Sequence, residues 1–358
     1  MKILLIDIGA GTMDVLYWDT QADHHYKAVV KSPVRTLAEK AGKTRGDLLV
    51  TGCEMGGGRL SGILRQRAER AEVVMTATAA ATLHHDSDRV RAQGVRIVDD
   101  KTAERLAEEK RYSRLVLGDL QPERIERIVR GFGVPFRVDI VAICAQDHGV
   151  PPRGVSHLDF RHNLFKAKLD REPFPRALLY ERKECPETFN RLTSIAATAA
   201  DLPAREVYVM DSGMAAILGA SLDFRARRSD PVIVLDIATS HTVGAALYHN
   251  EIAGFFEYHT HDVTARRLDR LLVELADGAL DHKKLMSEGG HGAYIRHAVG
   301  YHRVQSIIAT GPRRDLARKS KLPIHPGAPL GDNMMTGTAG LLEAVRHRKR
   351  LNPTSFVH

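Results

Sequence analysis

The sequence predicts an α/β protein that is built from two similar lobes. Strand-like apolar segments alternate with helical segments along most of the 358 residues, which is typical of α/β folds. One arrangement also occurs twice: the apolar runs Lys2–Ile6 and Val232–Leu235 each end in Asp-Ile, turn tightly and return as a second strand. Duplication over more than two hundred residues indicates two related lobes and not a solenoid of short repeats.

The duplication divides the chain into three parts. We expect residues 1–224 to form the first lobe and residues 230–332 to form the second lobe, with a charged linker between them. Residues 333–358 are predicted to form a C-terminal helix that returns to the first lobe. Residues 150–175 are polar and are predicted to form a loop.

The composition excludes several classes of protein. Hydrophobic residues make up 43% and charged residues 27% of the chain, as in globular proteins. No apolar run is long enough to cross a bilayer, and the N-terminus has no signal-peptide pattern. The three cysteines, Cys53, Cys144 and Cys185, are far apart in sequence, which indicates a reducing compartment. We therefore expect a cytoplasmic protein with no membrane partner.

The charge of the chain bears on its partners. The net charge is +8, which is compatible with binding to nucleic acid. However, the basic residues are dispersed, apart from the run Arg346–Arg350, and that run continues a helical pattern. Nucleic acid is therefore disfavoured as a partner, and a mild positive field suits phosphate ligands equally well.

The turn between Asp7 and Asp14 is the first candidate site. Gly9 and Gly11 would let the backbone adopt positive φ and let a ligand come close, and successive exposed N–H groups in such a turn bind anions. Asp7 lies where a buried strand ends, and the packing of a core does not need a charge there. These features predict a phosphate cradle with a metal-seeking carboxylate. The alternative is an ordinary hairpin turn that is rich in Gly and Asp.

Two better-known phosphate-binding motifs do not occur. The sequence contains no Gly-x-x-x-x-Gly-Lys-Ser/Thr string, which excludes a Walker A loop. In a dinucleotide fingerprint a third glycine precedes a helix, whereas Asp14 stands at that position and a predicted strand follows. The first turn is therefore predicted to join two strands.

Two further segments follow predicted strands of the first lobe. Gly56, Gly57 and Gly58 come after one strand, and Asp147 and His148 come after another. The ends of strands are where α/β sheets place ligands, so both segments are candidates for contact with a substrate. The alternative for the glycine run is a flexible turn before a helix.

Histidines are numerous, with 18 in the chain. His259 and His261 would share one face if both lie on a strand, and His291 lies in a glycine-rich segment. Neutral imidazoles suit Zn²⁺ or Fe²⁺, so these three are candidate metal ligands. The alternative, which we favour from the sequence, is that they are polar histidines in loops. If they bind no metal, they and His241 remain candidates for the surroundings of the phosphate site.

Five elements in this order resemble the actin / Hsp70 / sugar-kinase ATPase superfamily. Residues 7–14 resemble its first phosphate motif, in the bacterial actin-like form Asp-Ile-Gly-x-Gly-Thr-x-Asp. Residues 207–219 and 333–342 resemble its first and second connecting helices. Residues 236–242 resemble its second phosphate motif, and residues 307–316 resemble its adenosine motif. The resemblance covers the whole chain and implies a two-lobed actin-like ATPase fold, which is a duplicated ribonuclease H-like fold.

The resemblance implies ATP and Mg²⁺ as cofactors, with Asp7 and Asp236 as the metal-binding and catalytic carboxylates. Asp236 would contact the metal, the attacking water or an acceptor hydroxyl, and is the candidate base. Gly311 would let the adenosine lie against the backbone. The residues that would contact the nucleotide are Asp7, Gly9, Ala10, Gly11, Thr12, Asp14, Thr239, Ser240 and Gly311.

The chain departs from the superfamily pattern in two places. Ala238 and Ser240 stand where glycines are usual, and a side chain at a positive-φ position costs energy and crowds the phosphate. Pro312 in the adenosine motif removes an N–H donor. We therefore expect ATP binding, and efficient turnover is the weaker inference.

More narrowly, the sequence resembles a prokaryotic family that is labelled as pyruvate formate-lyase activating enzymes. That label implies radical chemistry at an iron–sulfur cluster, which cysteine thiolates hold. The sequence has no three-cysteine motif, so we reject that activity.

The sequence leaves the activity open between three classes. The first is a phosphoryl-transfer enzyme or ATPase that acts on an unknown small molecule. The second is an ATP-dependent switch that remodels or reactivates a protein client and hydrolyses ATP weakly, and the third is a polymerising filament protein. A kinase needs an acceptor pocket beside the γ-phosphate, whereas a switch would show slow hydrolysis that a partner stimulates.

Overall fold

The computed structural model describes residues 1–22, 25–152 and 154–352. The strands are β1 (Lys2–Ile8), β2 (Thr12–Asp19), β3 (Tyr26–Lys31), β4 (Asp47–Gly52), β5 (Val73–Thr76), β6 (Val95–Val98), β7 (Tyr112–Leu117), β8 (Val138–Ala145), β9 (Leu179–Glu181), β10 (Ala204–Asp211), β11 (Val232–Ile237), β12 (His241–Tyr248), β13 (Glu251–His259), β14 (Gly290–Ile295), β15 (Ser306–Thr310) and β16 (Ile324–Pro326). The α-helices are α1 (Pro33–Lys43), α2 (Gly58–Ala68), α3 (Ala77–Ala80), α4 (Ser87–Arg91), α5 (Asp100–Ala107), α6 (Pro122–Gly131), α7 (His157–Leu169), α8 (Asn190–Ala199), α9 (Ser212–Ala220), α10 (Ala265–Ala276), α11 (His282–Ser287) and α12 (Thr336–Lys349).

Two six-stranded sheets share a core of five strands in the same order, and each adds one further antiparallel edge strand, which is β9 beside β10 in the first sheet and β14 beside β13 in the second. They run β3-β2-β1-β8-β10-β9 and β14-β13-β12-β11-β15-β16. In each sheet three consecutive strands pair antiparallel, and two later strands join the other side of the first strand in parallel. Each sheet begins with the predicted hairpin, whose first strand ends in Asp7-Ile8 or in Asp236-Ile237. Two ribonuclease H-like sheets in one chain confirm the predicted two-lobed actin-like fold.

A third sheet is inserted between β3 and β8. Its four strands run β6-β5-β4-β7 and are all parallel. It has its own hydrophobic core, which includes Leu48, Val50, Val73, Met75 and Leu115. The sequence predicted these strands but not that they form a separate sheet, because strand pairing depends on contacts between distant segments and not on the local pattern.

The prediction of a loop over residues 150–175 was wrong, because α7 lies within it. Ser156 caps the first turn of this helix. Arg161, Phe165 and Leu169 lie four residues apart and form the buried face. Since a charged residue occupies one of the buried positions, the apolar periodicity that marks an amphipathic helix is missing from the sequence.

Other helix boundaries differ from the sequence prediction by a few residues. α8 begins at Asn190, whereas the sequence predicted a helix from Cys185. α12 begins at Thr336, and residues 353–358 of the predicted C-terminal segment lie outside the described residues. Within the described ranges, no helix is long and apolar enough to cross a bilayer.

Helices α9 and α12 pack closely against each other, and α9 also contacts strands of both six-stranded sheets. Two glycines lie at the crossing. A Cβ on Gly219 would overlap the carbonyl oxygen of Thr336, and a Cβ on Gly340 would overlap that of Ala215. The backbones of α9 and α12 thus touch at the crossing, which explains why the two predicted connecting helices have small residues there.

Replacing Gly340 with Ala should destabilise the protein by roughly 1–3 kcal/mol or more, because the added methyl group forces the two helices apart. Urea denaturation measures the change. Gly62→Ala in α2 is the matched control, since nothing lies within 4 Å of a Cβ there and Ala favours a helix by about 1 kcal/mol. Equal stability of the two variants would contradict the packing at the crossing.

Candidate functional site

The residues that the sequence analysis selected for nucleotide and substrate line one cavity of about 490 Å³, which we call the cleft. Its walls include the ends of β1 and β11, the first turn (residues 9–11), the second turn (residues 238–240), and the segments after β4 and β8. His259, His261 and His291 do not belong to its lining. The sequence-predicted residues around the cleft are Asp7, Gly9, Ala10, Gly11, Thr12, Asp14, Gly56, Gly57, Gly58, Asp147, His148, Asp236, Thr239, Ser240 and Gly311.

Ser32 holds the first turn in place. Its N–H donates to the Gly11 carbonyl at 3.1 Å and its hydroxyl donates to the Ala10 carbonyl at 3.0 Å, while the Gly9 N–H donates to the Thr12 carbonyl at 3.0 Å. In a trans peptide the C=O and the next N–H point in opposite directions. The amides of Gly11 and Thr12 therefore point away from Ser32, and they are the groups that would contact an anion.

The second turn repeats the two backbone hydrogen bonds of the first. The Ala238 N–H donates to the His241 carbonyl at 3.1 Å, and the Thr260 N–H donates to the Ser240 carbonyl at 2.8 Å. The Thr260 hydroxyl also donates to the Ala238 carbonyl at 2.9 Å. Thr260 thus does for the second turn what Ser32 does for the first, and the duplication extends from the sheets to the hydrogen bonds of the turns.

Neither turn uses the left-handed backbone region that we expected. Among the described residues, none of the positive-φ positions falls within residues 9–12 or 238–240. The expected backbone strain at Ala238 and Ser240 is therefore absent, because the second turn closes with backbone torsions that any residue can adopt.

The glycines of the first turn are needed for space. A Cβ on Gly9 would lie 3.2 Å from the Thr12 carbonyl oxygen, and a Cβ on Gly11 would lie 2.8 Å from Thr239 Oγ1. The second of these distances spans the cleft, because Thr239 belongs to the second turn. The two turns therefore face each other, with a bare backbone on one side and a threonine side chain on the other.

Each of the two predicted metal-binding carboxylates lies against a glycine. A Cβ on Gly337, at the start of α12, would overlap the carboxylate of Asp7. Gly311 follows β15 with φ of +88°, and a Cβ there would lie 2.5 Å from Asp236 Oδ1. The position of the Asp236 carboxylate therefore requires glycine at residue 311, independently of any contact with adenosine.

Three carboxylates crowd the cleft. Burial, with repulsion from Asp7, raises the pKa of Asp236 to about 7, and the same two causes raise the pKa of Asp14. Burial likewise raises the pKa of Asp7. Within the described residues, the buried Oδ1 of Asp14 has no hydrogen-bond partner. Within the described part of the chain none of the three forms an ion pair, and crowded carboxylates of this kind suit a hard divalent cation such as Mg²⁺.

The glycine-rich segment 56–58 is packed against an arginine. Arg191 donates to both oxygens of Asp119, at 2.7 and 2.9 Å, and to the Gln146 carbonyl at 2.7 Å. The Gly56 N–H also donates to Asp119 at 3.1 Å, and a Cβ on Gly56 would lie 2.7 Å from Arg191 Nη2. These contacts favour a fixed wall of the cleft over a flexible turn.

Asp147 and His148 form the neighbouring wall. Asp147 accepts from the Gly149 N–H at 2.8 Å and from the Leu192 N–H at 2.9 Å, and the second bond fixes the start of α8. Burial raises the pKa of Asp147. Burial also lowers the pKa of His148 to about 3, so His148 presents a neutral imidazole to the cleft at pH 7.

The structure regroups the candidate histidines. The metal hypothesis required His259 and His261 on one face of a strand, but β13 ends at His259 and a 3-10 turn follows. The side chain of His261 is therefore directed to solvent and is 75% exposed. His241, at the start of β12, takes its place beside His259 and His291.

The sequence analysis missed a buried ionic network beside the cleft. Arg161 on α7 donates to Glu257 Oε2 at 2.5 Å and to Asp211 Oδ2 at 2.9 Å, and all three side chains are buried. Burial alone would raise the pKa of Glu257, but Arg161 holds it well below its usual range. The one sequence signal was a charged Glu257 within the otherwise apolar strand β13.

A protein-family profile matches residues 55–316, which is well over half of the chain. Its description is "Putative pyruvate format-lyase activating enzyme (DUF1786)". The chain belongs to this family. The matched region includes the segment 56–58, the second turn and Gly311, and the first turn lies before it. None of the curated proteins that were compared matches the chain significantly.

Several solved structures match this family member over nearly their full length. The ROK hexokinase from Thermus thermophilus is 13% identical with a TM-score of 0.33, and the match covers 98% of this chain and 100% of that one. The AlfA filament structure from a B. subtilis plasmid is 10% identical with a TM-score of 0.37, over 96% and 98%. A PilM–PilN type IV pilus biogenesis complex is 14% identical with a TM-score of 0.39, over 96% and 99%. The strand order of the chain itself, and not these values, shows the two-lobed actin-like fold.

Replacing Arg161 with Leu should destabilise the protein by roughly 3–5 kcal/mol, because two buried carboxylates lose the guanidinium that pairs with both of them. Chemical denaturation measures the change. Arg205→Leu is the control, since Arg205 is 77% exposed and lies 3.7 Å from Asp139, and it should alter stability by only about 0.5 kcal/mol. A similar loss in both variants would mean that Arg161 has no special structural role.

Proposed function

We propose that this chain binds ATP with Mg²⁺ in the cleft and transfers the terminal phosphoryl group to a small molecule held beside it. The observation that carries the proposal is the pair of turns that share the same hydrogen bonds, face each other and each follow a carboxylate-ended strand. Phosphoryl transfer depends mainly on positioning and charge stabilisation. The two turns, one from each sheet, would provide both effects for a phosphate group between them.

The residues of the cleft have distinct roles in this proposal. The amides of the first turn, with the Thr12 hydroxyl, cradle the phosphates, and Thr239 and Ser240 approach from the opposite side. Asp7 and Asp236 are the metal-binding carboxylates, and their raised pKa values fit a site that is completed by a cation. Bound Mg²⁺ would neutralise part of the phosphate charge. Gly311 provides bare backbone for the adenosine.

Asp236 is the candidate base for an acceptor hydroxyl. Its pKa of about 7 is close to the pH at which a general base is most effective. The Thr310 hydroxyl donates to its Oδ1 at 3.3 Å and would orient it. Because this oxygen also lies next to Gly311, the carboxylate has little freedom to turn away from the cleft.

A polar wall beside the phosphate turns supports an acceptor site. Gly56, Gly57, Gly58, Asp147 and His148 line the same cleft. The cavity of about 490 Å³ is within the usual range for sites that bind small molecules. This pocket favours phosphoryl transfer to a small polar molecule over hydrolysis alone.

An ATP-dependent switch that acts on a protein client is the second candidate. One observation favours it: Thr239 approaches the first turn so closely that Gly11 cannot carry a side chain. A crowded γ-phosphate site is typical of slow turnover, which a switch requires and a metabolic kinase does not.

The iron–sulfur chemistry that the family description implies is not part of the proposal. Cys53 follows β4, Cys144 lies within β8, and Cys185 precedes α8. Burial, together with the nearby Asp7, raises the pKa of the Cys144 thiol well above its usual value, whereas a cluster needs thiolates. The positions of the cysteines therefore argue against a shared cluster.

Calorimetry with ATP and Mg²⁺ tests nucleotide binding on the wild type, on Asp7→Asn and on the control Asp88→Asn, whose carboxylate is 81% exposed. Asp7→Asn should weaken Mg²⁺-dependent binding by roughly tenfold or more, because a metal ligand is lost. Wild-type affinity should rise between about pH 5 and pH 8, since raised pKa values mean that protons compete with the metal at low pH. Equal binding by wild type and Asp7→Asn, or no binding by either, would refute the proposed site.

Turnover separates the two candidate functions. A kinase should release ADP faster when pools of small metabolites are added, and Asp236→Asn should slow that release by roughly 10²–10⁴-fold while the protein still binds nucleotide. Slow hydrolysis that no metabolite pool accelerates would instead favour the switch. The same assay on Asp88→Asn controls for effects of the substitution itself.

A further inference from the structure

Three histidines from three strands converge beside the cleft. His241 begins β12, His259 ends β13, and His291 is the second residue of β14. His241 and His259 are direct partners in the antiparallel register. One ring nitrogen from each of the three histidines lies within 4.8 Å of the other two, so the sheet itself brings the three imidazoles together.

The hydrogen bonds within this cluster are incomplete. His259 Nε2 and His291 Nε2 are 2.9 Å apart, which a single N–H···N bond can satisfy. The buried Nε2 of His241, however, has no partner among the described residues. An imidazole nitrogen that is removed from water without a partner is costly, and a shared ligand would satisfy all three rings.

Polar groups lie beside the Nδ1 atoms of two of the rings. The Ser240 hydroxyl lies 3.0 Å from His241 Nδ1, and Glu257 Oε1 lies 3.5 Å from His291 Nδ1. A carboxylate beside one ring nitrogen favours the proton there, which leaves a lone pair on the other nitrogen. Such carboxylate–histidine pairs commonly support metal ligands. In this arrangement Nε2 is the nitrogen left free to bind.

We propose that His241, His259 and His291 bind one divalent transition-metal ion through their Nε2 atoms. Three neutral imidazoles suit Zn²⁺ and similar ions, whereas Mg²⁺ prefers oxygen ligands. Three nitrogen ligands leave one position of a tetrahedral ion for water or for an oxygen atom of a cleft ligand. His241 lines the cleft, so this open position would be close to it.

The three proposed ligands are different residues from Asp7 and Asp236, which are the carboxylates that we propose for Mg²⁺. The ring of His261 also lies near the cluster, with its centroid 5.2 Å from that of His259, but His261 is not one of the three histidines whose ring nitrogens converge. His261 is 75% exposed and lies 3.3 Å from Asp262, so it provides a control that differs from the ligands only in position.

The test uses the full-length protein, freed of metal by a chelator and then titrated with Zn²⁺ alone or Co²⁺ alone. The wild type should bind about one equivalent of either ion, and the Co²⁺ complex should show the visible absorption of a four-coordinate site. His241→Gln, His259→Gln and His291→Gln should each lower Zn²⁺ affinity by roughly 100-fold or more, because each removes one ligand. His261→Gln should bind as the wild type does.

Circular dichroism of each metal-free variant shows whether it is folded, and the Co²⁺ spectrum of the wild type tests the site without any substitution. The absence of Zn²⁺ binding by the folded wild type would overturn the proposal. So would an octahedral Co²⁺ spectrum, or a loss of affinity in His261→Gln as large as that in the three ligand variants. None of these readouts depends on ATP, so failure here and failure of the nucleotide proposal are distinguishable.

Discussion

The placement of the two six-stranded sheets depends on a buried arginine. Arg161 donates to Asp211, at the end of a strand in the first sheet, and to Glu257, in a strand of the second sheet. Removing such charges from water costs several kcal/mol for each ion unless it is paired. The three charges are therefore stable only when both sheets hold their carboxylates against the same guanidinium. Gln146, which follows β8, also donates to Glu257, so the network fixes the wall of the cleft that Glu257 lines.

The duplication preserves the shape of the two turns but not their chemistry. Ser32 and Thr260 hold the turns by corresponding backbone hydrogen bonds. Gly11 presents bare backbone to the cleft, whereas the second turn presents the side chain of Thr239. The second turn also leads directly into His241, which belongs to the histidine cluster. The two lobes are thus unequal partners: the first offers amides for an anion, and the second offers side chains that connect the cleft to a candidate metal site.

Much of the fold and part of the site were predictable from local sequence. Each hairpin was predicted from an apolar run, an Asp-Ile pair and a tight turn, because continuous apolar runs and turns are properties of neighbouring residues. Local patterns failed where a buried position holds a charged side chain. Helix α7 was predicted as a loop because Arg161 occupies its buried face. The hypothesis that His259 and His261 share a strand face fails because β13 ends at His259.

The sequence by itself determined the fold class, the two Asp-ended turns and some of the residues that line the cleft. Only the tertiary structure decided the partners of the buried polar groups. Arg191 pairs with Asp119 and Arg161 joins two sheets, although these residues lie far apart in the chain. A local pattern records whether a position is buried, but the partner of a buried charge is chosen by which distant segments pack together. The histidine cluster depends on tertiary packing for the same reason, since strand register brings its three rings to one place.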